Sequence, residues 1–270
     1  MNFFNCHTHT DNSHDCPTSL EDMYRAAVNA GLTGFAVTDH CDCEYADNEK
    51  MVKDILNSFD EAEKLKNSCA DSMLISCGVE MGEMLTDTEF SAKMLSARNW
   101  DMILCSVHAV SIPDFEMPFS MIDFSDKSDD FIDRYISKYF EELYENAVKS
   151  DYDVLCHLTV ILRYVVYKYK KHVDITKYYP IIENILKAVI SRDKSLEINT
   201  SGIHDNYFMP DRDILMMYKN LGGKKISIGS DAHVPQNISA GLTEAAELLK
   251  SLGFDTLTYY IERKCHSYSI

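Results

Sequence analysis

Short apolar runs alternate along the chain with longer amphipathic stretches. Runs that are apolar at every position are typical of buried strands in a parallel sheet. Seven such runs cover residues 3–6, 34–38, 73–77, 102–107, 154–156, 196–199 and 226–229. Stretches with the three- and four-residue spacing of helices cover residues 18–30, 48–68, 88–98, 129–149, 176–192, 211–221 and 240–252. The pattern therefore predicts seven strands, each followed by a helix.

Strands that alternate with helices predict a parallel sheet, which is most economically closed into a barrel. An open, doubly wound sheet is the alternative, and it usually carries a glycine-rich phosphate loop after its first strand. Here the first predicted strand continues into His7-Thr8-His9-Thr10, with no glycine nearby. We therefore expect a single α/β domain over residues 1–270 that forms a (β/α)7 barrel.

Composition narrows the class of protein. Apolar residues make up 46% of the 270 positions, and the formal net charge is −17. An acidic surface repels phosphate backbones and anionic lipids, which argues against a nucleic-acid scaffold or a membrane-surface protein. We see neither a signal peptide nor an apolar run near the ~18 residues of a membrane span. The nine cysteines, an odd number, favour reduced thiols over disulfides. We expect a soluble cytoplasmic protein with a small-molecule partner, and the composition does not indicate an oligomeric state.

Metal-ligating side chains follow six of the seven predicted strands. They are His7 and His9, His40, Glu80, His108, His157, and Asp231 with His233. A single histidine at a strand end is more often a hydrogen-bonded loop residue than a ligand. A His-x-His pair is a stronger signal, because alternate residues of a strand share a face. In a barrel the carboxyl ends of all strands open onto one face, so these groups are expected to converge. Their number exceeds what one ion binds, which predicts a multinuclear site.

Six motifs resemble those of the polymerase-and-histidinol-phosphatase (PHP) superfamily, in order and over nearly the whole chain. They are His7-Thr8-His9-Thr10, Val37-Thr38-Asp39-His40, Gly78-Val79-Glu80, Ser106-Val107-His108, Cys156-His157-Leu158 and Gly229-Ser230-Asp231-Ala232-His233. Two further segments, 196–202 and 231–235, resemble the histidinol-phosphate phosphatase branch. The resemblance implies a distorted (β/α)7 barrel, with a site for two or three Zn, Mn or Fe ions at the carboxyl ends of the strands.

The resemblance also implies ligands for each ion. The first ion would be bound by His7, His9, Glu80 and Asp231, and the second by His40 and His233. The third would be bound by His108 and His157, with Glu80 bridging to the first ion. The second ion takes one more ligand from the loop after His9. Asp15 stands six residues after His9, where the family usually has this ligand, and the adjacent His14 is the other candidate.

Such a cluster would generate a metal-bound hydroxide near neutral pH and clamp phosphoryl oxygens, so no Ser or Cys nucleophile is needed. The string Cys41-Asp42-Cys43 lacks a second cysteine pair, and free thiols are the favoured interpretation. Two acidic residues near the predicted ligands each have two possible roles. Asp39 either orients a histidine or caps the turn that follows it, and Glu83 is either catalytic or a solvated loop residue.

Substrate contacts are predicted at two positions. Arg163 follows the fifth predicted strand, and the resemblance implies that it binds phosphate; the alternative is a surface arginine in a basic stretch. His204 lies in a segment where relatives often carry a basic residue. Segment 109–128 is a candidate active-site lid.

The resemblance implies a metal-dependent phosphomonoesterase that hydrolyses L-histidinol phosphate in histidine biosynthesis. The alternative keeps the chemistry and changes the substrate to another small phosphate ester or a nucleotide. The net charge of −17 disfavours a nucleic-acid polymer. A metal-binding module without activity would predict missing ligands, whereas every motif has its ligand.

Overall fold

A barrel of parallel strands forms the centre of the structure, a computed structural model that describes residues 3–43, 48–112 and 115–270. The strands of its sheet are β1 (Phe4–Asn5), β2 (Gly34–Val37), β3 (His40–Asp42), β4 (Leu74–Gly82), β5 (Met102–Ser106), β8 (Val154–Leu155), β9 (Ser195–Asn199) and β10 (Ile226–Gly229). They follow the order β1-β2-β4-β5-β8-β9-β10, with β3 paired to β4, while β6 (Ala109–Ile112) and β7 (Phe115–Pro118) form a separate hairpin. All seven predicted strands are present, and the predicted fold is confirmed.

Backbone hydrogen bonds join the first and last strands of this sheet. The amide of Cys6 donates to the carbonyl of Ile228 at 2.8 Å, and the amide of Asp231 donates to the carbonyl of His7 at 2.9 Å. The sheet therefore closes, and the segments that follow β1 and β10 lie side by side.

Helices cover the outside of the barrel. Their bounds are α1 (Leu20–Ala30), α2 (Glu49–Ser68), α3 (Thr88–Ala97), α4 (Asp129–Lys149), α5 (Val160–Leu162), α6 (Tyr179–Ser191), α7 (Arg212–Asn220) and α8 (Leu242–Ser251). Sequence signals define α1 at both ends. The Ser19 hydroxyl accepts from the amide of Asp22, and Gly31 ends the helix at φ 68°, a conformation that glycine adopts without strain. In the described part of the chain, no helix combines the length and the apolar character needed to cross a bilayer.

The strand that carries Glu80 is longer than the sequence predicts. Its first half pairs with β2, and residues 78–82 pair with β5. The short strand β3 lies along the same second half, with His40 opposite Glu80. Glu80 is therefore inside β4 and not beyond its end, because β3 and β5 supply partners that extend the strand.

The amino-terminal end of the barrel is closed by a hairpin absent from our prediction, β11 (Thr256–Ile261) and β12 (Lys264–Ser269). Tyr260 is buried, and it packs with residues from inside the barrel such as Phe4 and Met102. In the turn, the amide of Arg263 donates to the carbonyl of Asp101 at 2.8 Å. The opposite, carboxyl-terminal end is left for the site.

Candidate metal centre

The predicted ligands converge at the carboxyl ends of the strands, around the carboxylate of Glu80. Glu80 is fully buried. Its Oε1 lies 2.7 Å from His157 Nε2 and 3.2 Å from His108 Nε2. Its Oε2 lies 3.2 Å from His7 Nε2 and 3.0 Å from His40 Nδ1. Each oxygen thus contacts a different pair of imidazoles, which is the arrangement of a bridging carboxylate.

A second group lies beside the first, toward the opening of the barrel. His9 Nε2 is 3.2 Å from Asp231 Oδ1. Asp15 Oδ2 is 3.3 Å from His233 Nε2 and 3.7 Å from His40 Nε2. The Asp15 carboxylate therefore lies between two predicted ligands of the second ion.

His14 occupies a different position. Its ring lies 5.6 Å from the His40 ring, centroid to centroid, and it lines the same cavity. The geometry favours Asp15 over His14 as the ligand from this loop, because the Asp15 carboxylate is within 4 Å of both neighbouring imidazoles.

Carboxylates hold the outer nitrogen of two of these histidines. Glu197 Oε1 lies 2.9 Å from His7 Nδ1, and Asp42 Oδ1 lies 2.9 Å from His108 Nδ1. Such partners fix the proton on Nδ1 and direct Nε2 inward. Both acids are buried, and neither is among the residues predicted from the sequence motifs.

A hydroxyl relay orients a third histidine. The Ser13 hydroxyl donates to Asp39 Oδ1 at 2.8 Å and lies 3.1 Å from His9 Nδ1. Asp39 also accepts from the amide of Thr10 at 2.6 Å. Asp39 thus orients His9 through Ser13, and the turn that it caps is the one after β1 and not the turn that follows Asp39 itself.

Burial and mutual charge set the protonation of the cluster. Burial disfavours charged His7, but the carboxylates of Glu197, Glu80 and Asp231 outweigh it and raise the His7 pKa. For His9, burial and the neighbouring His233 and His40 lower the pKa. Burial raises the pKa of Asp231, but the surrounding imidazoles, His7 foremost, bring it well below its usual range.

Glu83 lies next to this cluster and is buried, so its interpretation as a solvated loop acid is wrong. Its Oε1 accepts from the amides of His108 and Ala109. Burial, with a contribution from the Asp42 charge, raises the Glu83 pKa to about 8. The chain turns sharply here, with Glu83 at φ 45°.

The donor atoms fit divalent ions. Sets of imidazole, carboxylate and thiol atoms lie within 4.8 Å of one another, and the sets share members: His7, His9 and Asp231; His9, His40 and His233; His40, Glu80 and His108; and His7, Glu80, Cys156 and His157. Among the described residues, His157 Nδ1 is buried without a hydrogen-bond partner, whereas His40 Nδ1 and His233 Nε2 face the carboxylates of Glu80 and Asp15 at 3.0 and 3.3 Å. Imidazole and carboxylate are ligands of Zn, Mn and Fe, so these residues can hold more than one such ion.

A cavity of about 480 Å³ opens above the cluster. Phe119, Met121 and Tyr164 form part of its wall. Among its described lining residues, Arg163 is the one with a guanidinium or ammonium group. Arg163 Nη2 contacts the Ser201 hydroxyl and lies 3.3 Å from Asp231 Oδ2. The arginine therefore faces the cavity, and its interpretation as a surface residue is wrong.

The other predicted substrate contact does not lie at this cavity. His204 is exposed on the short turn Ile203–Asp205, and its Nε2 lies 3.4 Å from the side-chain oxygen of Asn237. His204 is not among the residues that line the cavity. We therefore leave His204 out of the candidate substrate site.

The candidate lid is a hairpin in its first part. Strands β6 (Ala109–Ile112) and β7 (Phe115–Pro118) pair antiparallel, and residues 113–114 lie outside the described part of the chain. The following turn, Phe119–Met121, forms one wall of the cavity. The segment thus borders the cavity, and its movement stays a prediction.

The model of the PHP domain family matches residues 5–201, more than half of the chain. The chain belongs to the PHP domain family. This finding confirms the resemblance inferred from the six motifs.

Curated relatives of this PHP domain protein align over nearly their whole length. The histidinol-phosphatase of Lactococcus lactis is 26% identical over 94% of this chain and 93% of the relative. A probable histidinol-phosphatase of Clostridium acetobutylicum is 25% identical over 98% of this chain and 99% of the relative. A probable histidinol-phosphatase of Thermotoga maritima is 26% identical over 93% of each chain.

Two solved structures share the PHP barrel. The histidinol phosphate phosphatase of Lactococcus lactis, complexed with Zn, L-histidinol and phosphate, has a TM-score of 0.78, with 24% identity over 98% of this chain and 99% of that one. The putative histidinol phosphatase of Listeria monocytogenes has a TM-score of 0.76, with 19% identity over 89% of this chain and 99% of that one. The fold is therefore the same across the three proteins.

Proposed function

We propose that this protein is a metal-dependent phosphomonoesterase that hydrolyses L-histidinol phosphate to L-histidinol and phosphate. The observation that carries the proposal is the convergence of imidazoles on the buried Glu80 carboxylate, beneath a cavity that contains Arg163. Phosphate esters need positive charge at their oxygens, and an acidic protein supplies it here through bound ions and one arginine.

The resemblance to the PHP family implies three ligand sets, and the contacts at Glu80 and Asp231 support them. His7, His9, Glu80 and Asp231 would hold one ion; His40, His233 and Asp15 a second; and His108 and His157, with Glu80 bridging, a third. Zinc, manganese and iron are the ions that such imidazole and carboxylate donors bind.

Divalent ions at these positions would lower the pKa of water toward neutrality and neutralise charge on the phosphoryl oxygens. The residues of the chain supply orientation. Glu197 and Asp42 hold the outer nitrogens of His7 and His108, so that the inner nitrogens face the cavity. The Arg163 guanidinium matches the geometry of phosphate oxygens, and it binds the substrate from the cavity wall beside Asp231.

The substrate assignment rests on the relatives. Proteins that align over nearly the whole chain are called histidinol-phosphatases, and the Lactococcus lactis structure contains Zn, L-histidinol and phosphate. The cavity lies in the size range of small-ligand sites, and it offers aromatic and apolar walls together with acidic groups. These surfaces suit the imidazole ring and the amino group of histidinol.

Phosphate release from L-histidinol phosphate tests the proposal. The assay uses protein loaded with Mn or Zn, with AMP and an aryl phosphate run in parallel and His108→Ala as the inactive control. Turnover selective for histidinol phosphate and lost in the variant supports the proposal. Turnover of AMP or the aryl phosphate but not of histidinol phosphate would contradict the proposed substrate, and it would still support metal-dependent ester hydrolysis.

A further inference from the structure

An acidic side chain stands inside strand β9, whose neighbouring positions face the core. Glu197 is fully buried between Leu196 and Ile198, which are equally buried. A carboxylate in such a position has a high desolvation cost and persists only with strong partners. The contacts of Glu197 are therefore informative about its purpose.

Both oxygens of Glu197 are engaged, and they reach two different strand ends. Oε1 lies 2.9 Å from His7 Nδ1. Oε2 accepts from the backbone amide of His157 at 2.8 Å and from the Asn199 side-chain amide at 3.2 Å. His157 is at φ 24°, which is unfavourable for a residue with a side chain, and the bond from its amide helps to hold it there.

The strand next to β9 leaves room for this carboxylate. A Cβ atom at Gly229 would lie 2.0 Å from Glu197 Oε1 and 2.5 Å from His7 Cβ. Any larger residue would displace the carboxylate or the histidine. Because Gly229 on β10 has no side chain, the Glu197 carboxylate on β9 can reach across β10 to His7.

We propose that Glu197 is a positioning residue that keeps the proton of His7 on Nδ1 and fixes the His157 backbone, so that both histidines present Nε2 to metal. The inference rests on the proposed function only in taking His7 and His157 as metal ligands. A carboxylate accepts hydrogen bonds and has none to give, so the ring nitrogen that faces it must donate. The other ring nitrogen is then free to bind metal.

The substitution Glu197→Gln tests this with almost no change of shape. The glutamine oxygen can still accept from His157 and Asn199, and its amide nitrogen then donates toward His7 Nδ1. His7 must consequently carry its proton on Nε2, which blocks coordination. We expect the variant to release zinc to a competing chelator at a free-zinc concentration at least about tenfold higher than wild type.

Asp153→Asn is the matched control, because Asp153 is also a buried carboxylate but accepts from the amide of Ile103 at the amino-terminal end of the barrel. We expect this control to retain zinc like wild type even where its melting temperature falls. Equal zinc release by both variants at equal loss of stability would overturn the proposal, as would wild-type zinc affinity in Glu197→Gln.

A measurement on the wild type keeps the proposal testable if Glu197→Gln fails to fold. In zinc-loaded protein labelled with 15N-histidine, the His7 signals should show the proton on Nδ1; a proton on Nε2 would overturn the proposal. Neither experiment uses phosphate release. Failure of the histidinol phosphate assay with normal zinc binding would therefore contradict the proposed function and leave this inference standing.

Discussion

The two ends of the barrel differ in the partners of their buried ionisable side chains. At the amino-terminal end, buried acids have basic partners. Arg263 Nε lies 2.5 Å from Asp153 Oδ2, and Lys66 Nζ lies 2.6 Å from Asp101 Oδ2. At the carboxyl-terminal end, acidic groups and imidazoles lie together in sets whose donor atoms are within 4.8 Å of one another.

We infer that the paired acids at the amino-terminal end serve stability and that the cluster at the carboxyl-terminal end serves function. Pairing a buried acid with a base avoids the cost of an isolated buried charge. Crowding ionisable groups in one buried cluster raises the free energy of the folded chain, and it is typical of sites that bind a charged ligand. Substitutions at the amino-terminal end should therefore change stability, whereas those at the carboxyl-terminal end should change metal binding and turnover.

The largest effect is expected for Glu80→Gln. The amide cannot bridge two ions as a carboxylate does, and it brings a donor among imidazole nitrogens. We expect kcat for phosphate release to fall by at least about 10³-fold, together with the bound-metal content. The matched control is Glu244→Gln on the exposed face of α8, which should keep wild-type activity. Activity within tenfold of wild type in Glu80→Gln would contradict the role of the cluster.

Arg163→Met should have the next largest effect. The variant keeps an unbranched apolar side chain in the cavity wall but removes the guanidinium. Because hydrogen bonds to charged groups are lost, kcat/KM should fall by about 10- to 100-fold, with the bound-metal content unchanged. Arg163→Lys should recover part of the loss. Steady-state kinetics with metal analysis checks this, and loss of metal in Arg163→Met would assign the arginine to the metal site instead.

Arg263→Met should change stability without changing activity. It leaves Asp153 buried without its basic partner. Because Arg263 is partly exposed, we expect a moderate loss of about 2 kcal/mol in the free energy of unfolding, with kcat within about twofold of wild type. Urea unfolding and kinetics on the same preparation measure both. A fall in kcat well beyond this twofold range would contradict the view that the amino-terminal end serves stability alone.

The smallest effect concerns Glu83 and depends on pH. A carboxyl whose pKa is raised on folding, here to about 8, binds more protons in the folded state. Its contribution to stability is complete below the unfolded pKa of about 4.3 and is lost as the pH rises toward 8. In metal-free protein, Glu83→Gln should therefore gain stability relative to wild type as the pH rises from 5 to 8, because glutamine does not ionise. Urea unfolding across this range tests it, and a difference independent of pH would contradict it.

The barrel and the convergence of the histidines could be predicted because both follow from local sequence patterns. Parallel strands buried on both faces leave continuous apolar runs, and the histidines stand at their ends. The hairpin β11–β12 was missed because its turn residues, Glu262 and Arg263, are at φ 52° and 60° without the glycine or asparagine that normally indicates such a turn.

The supporting acids were missed because their partners are distant in sequence. Glu197 is 190 positions from His7, and no spacing rule connects them. One signal was available for Asp42, since it alternates with His40 on β3 as His9 does with His7. A lone acid within the apolar strand β9 was the corresponding signal for Glu197.

The central claim is that hydrolysis depends on metal ions held at the carboxyl ends of the strands. The direct test is to strip the protein with a chelator and measure phosphate release from L-histidinol phosphate as zinc or manganese is added back in counted equivalents. We predict no turnover without metal and full turnover only after two or three ions are bound per chain. Full turnover in the stripped protein, or after a single ion, would contradict the account.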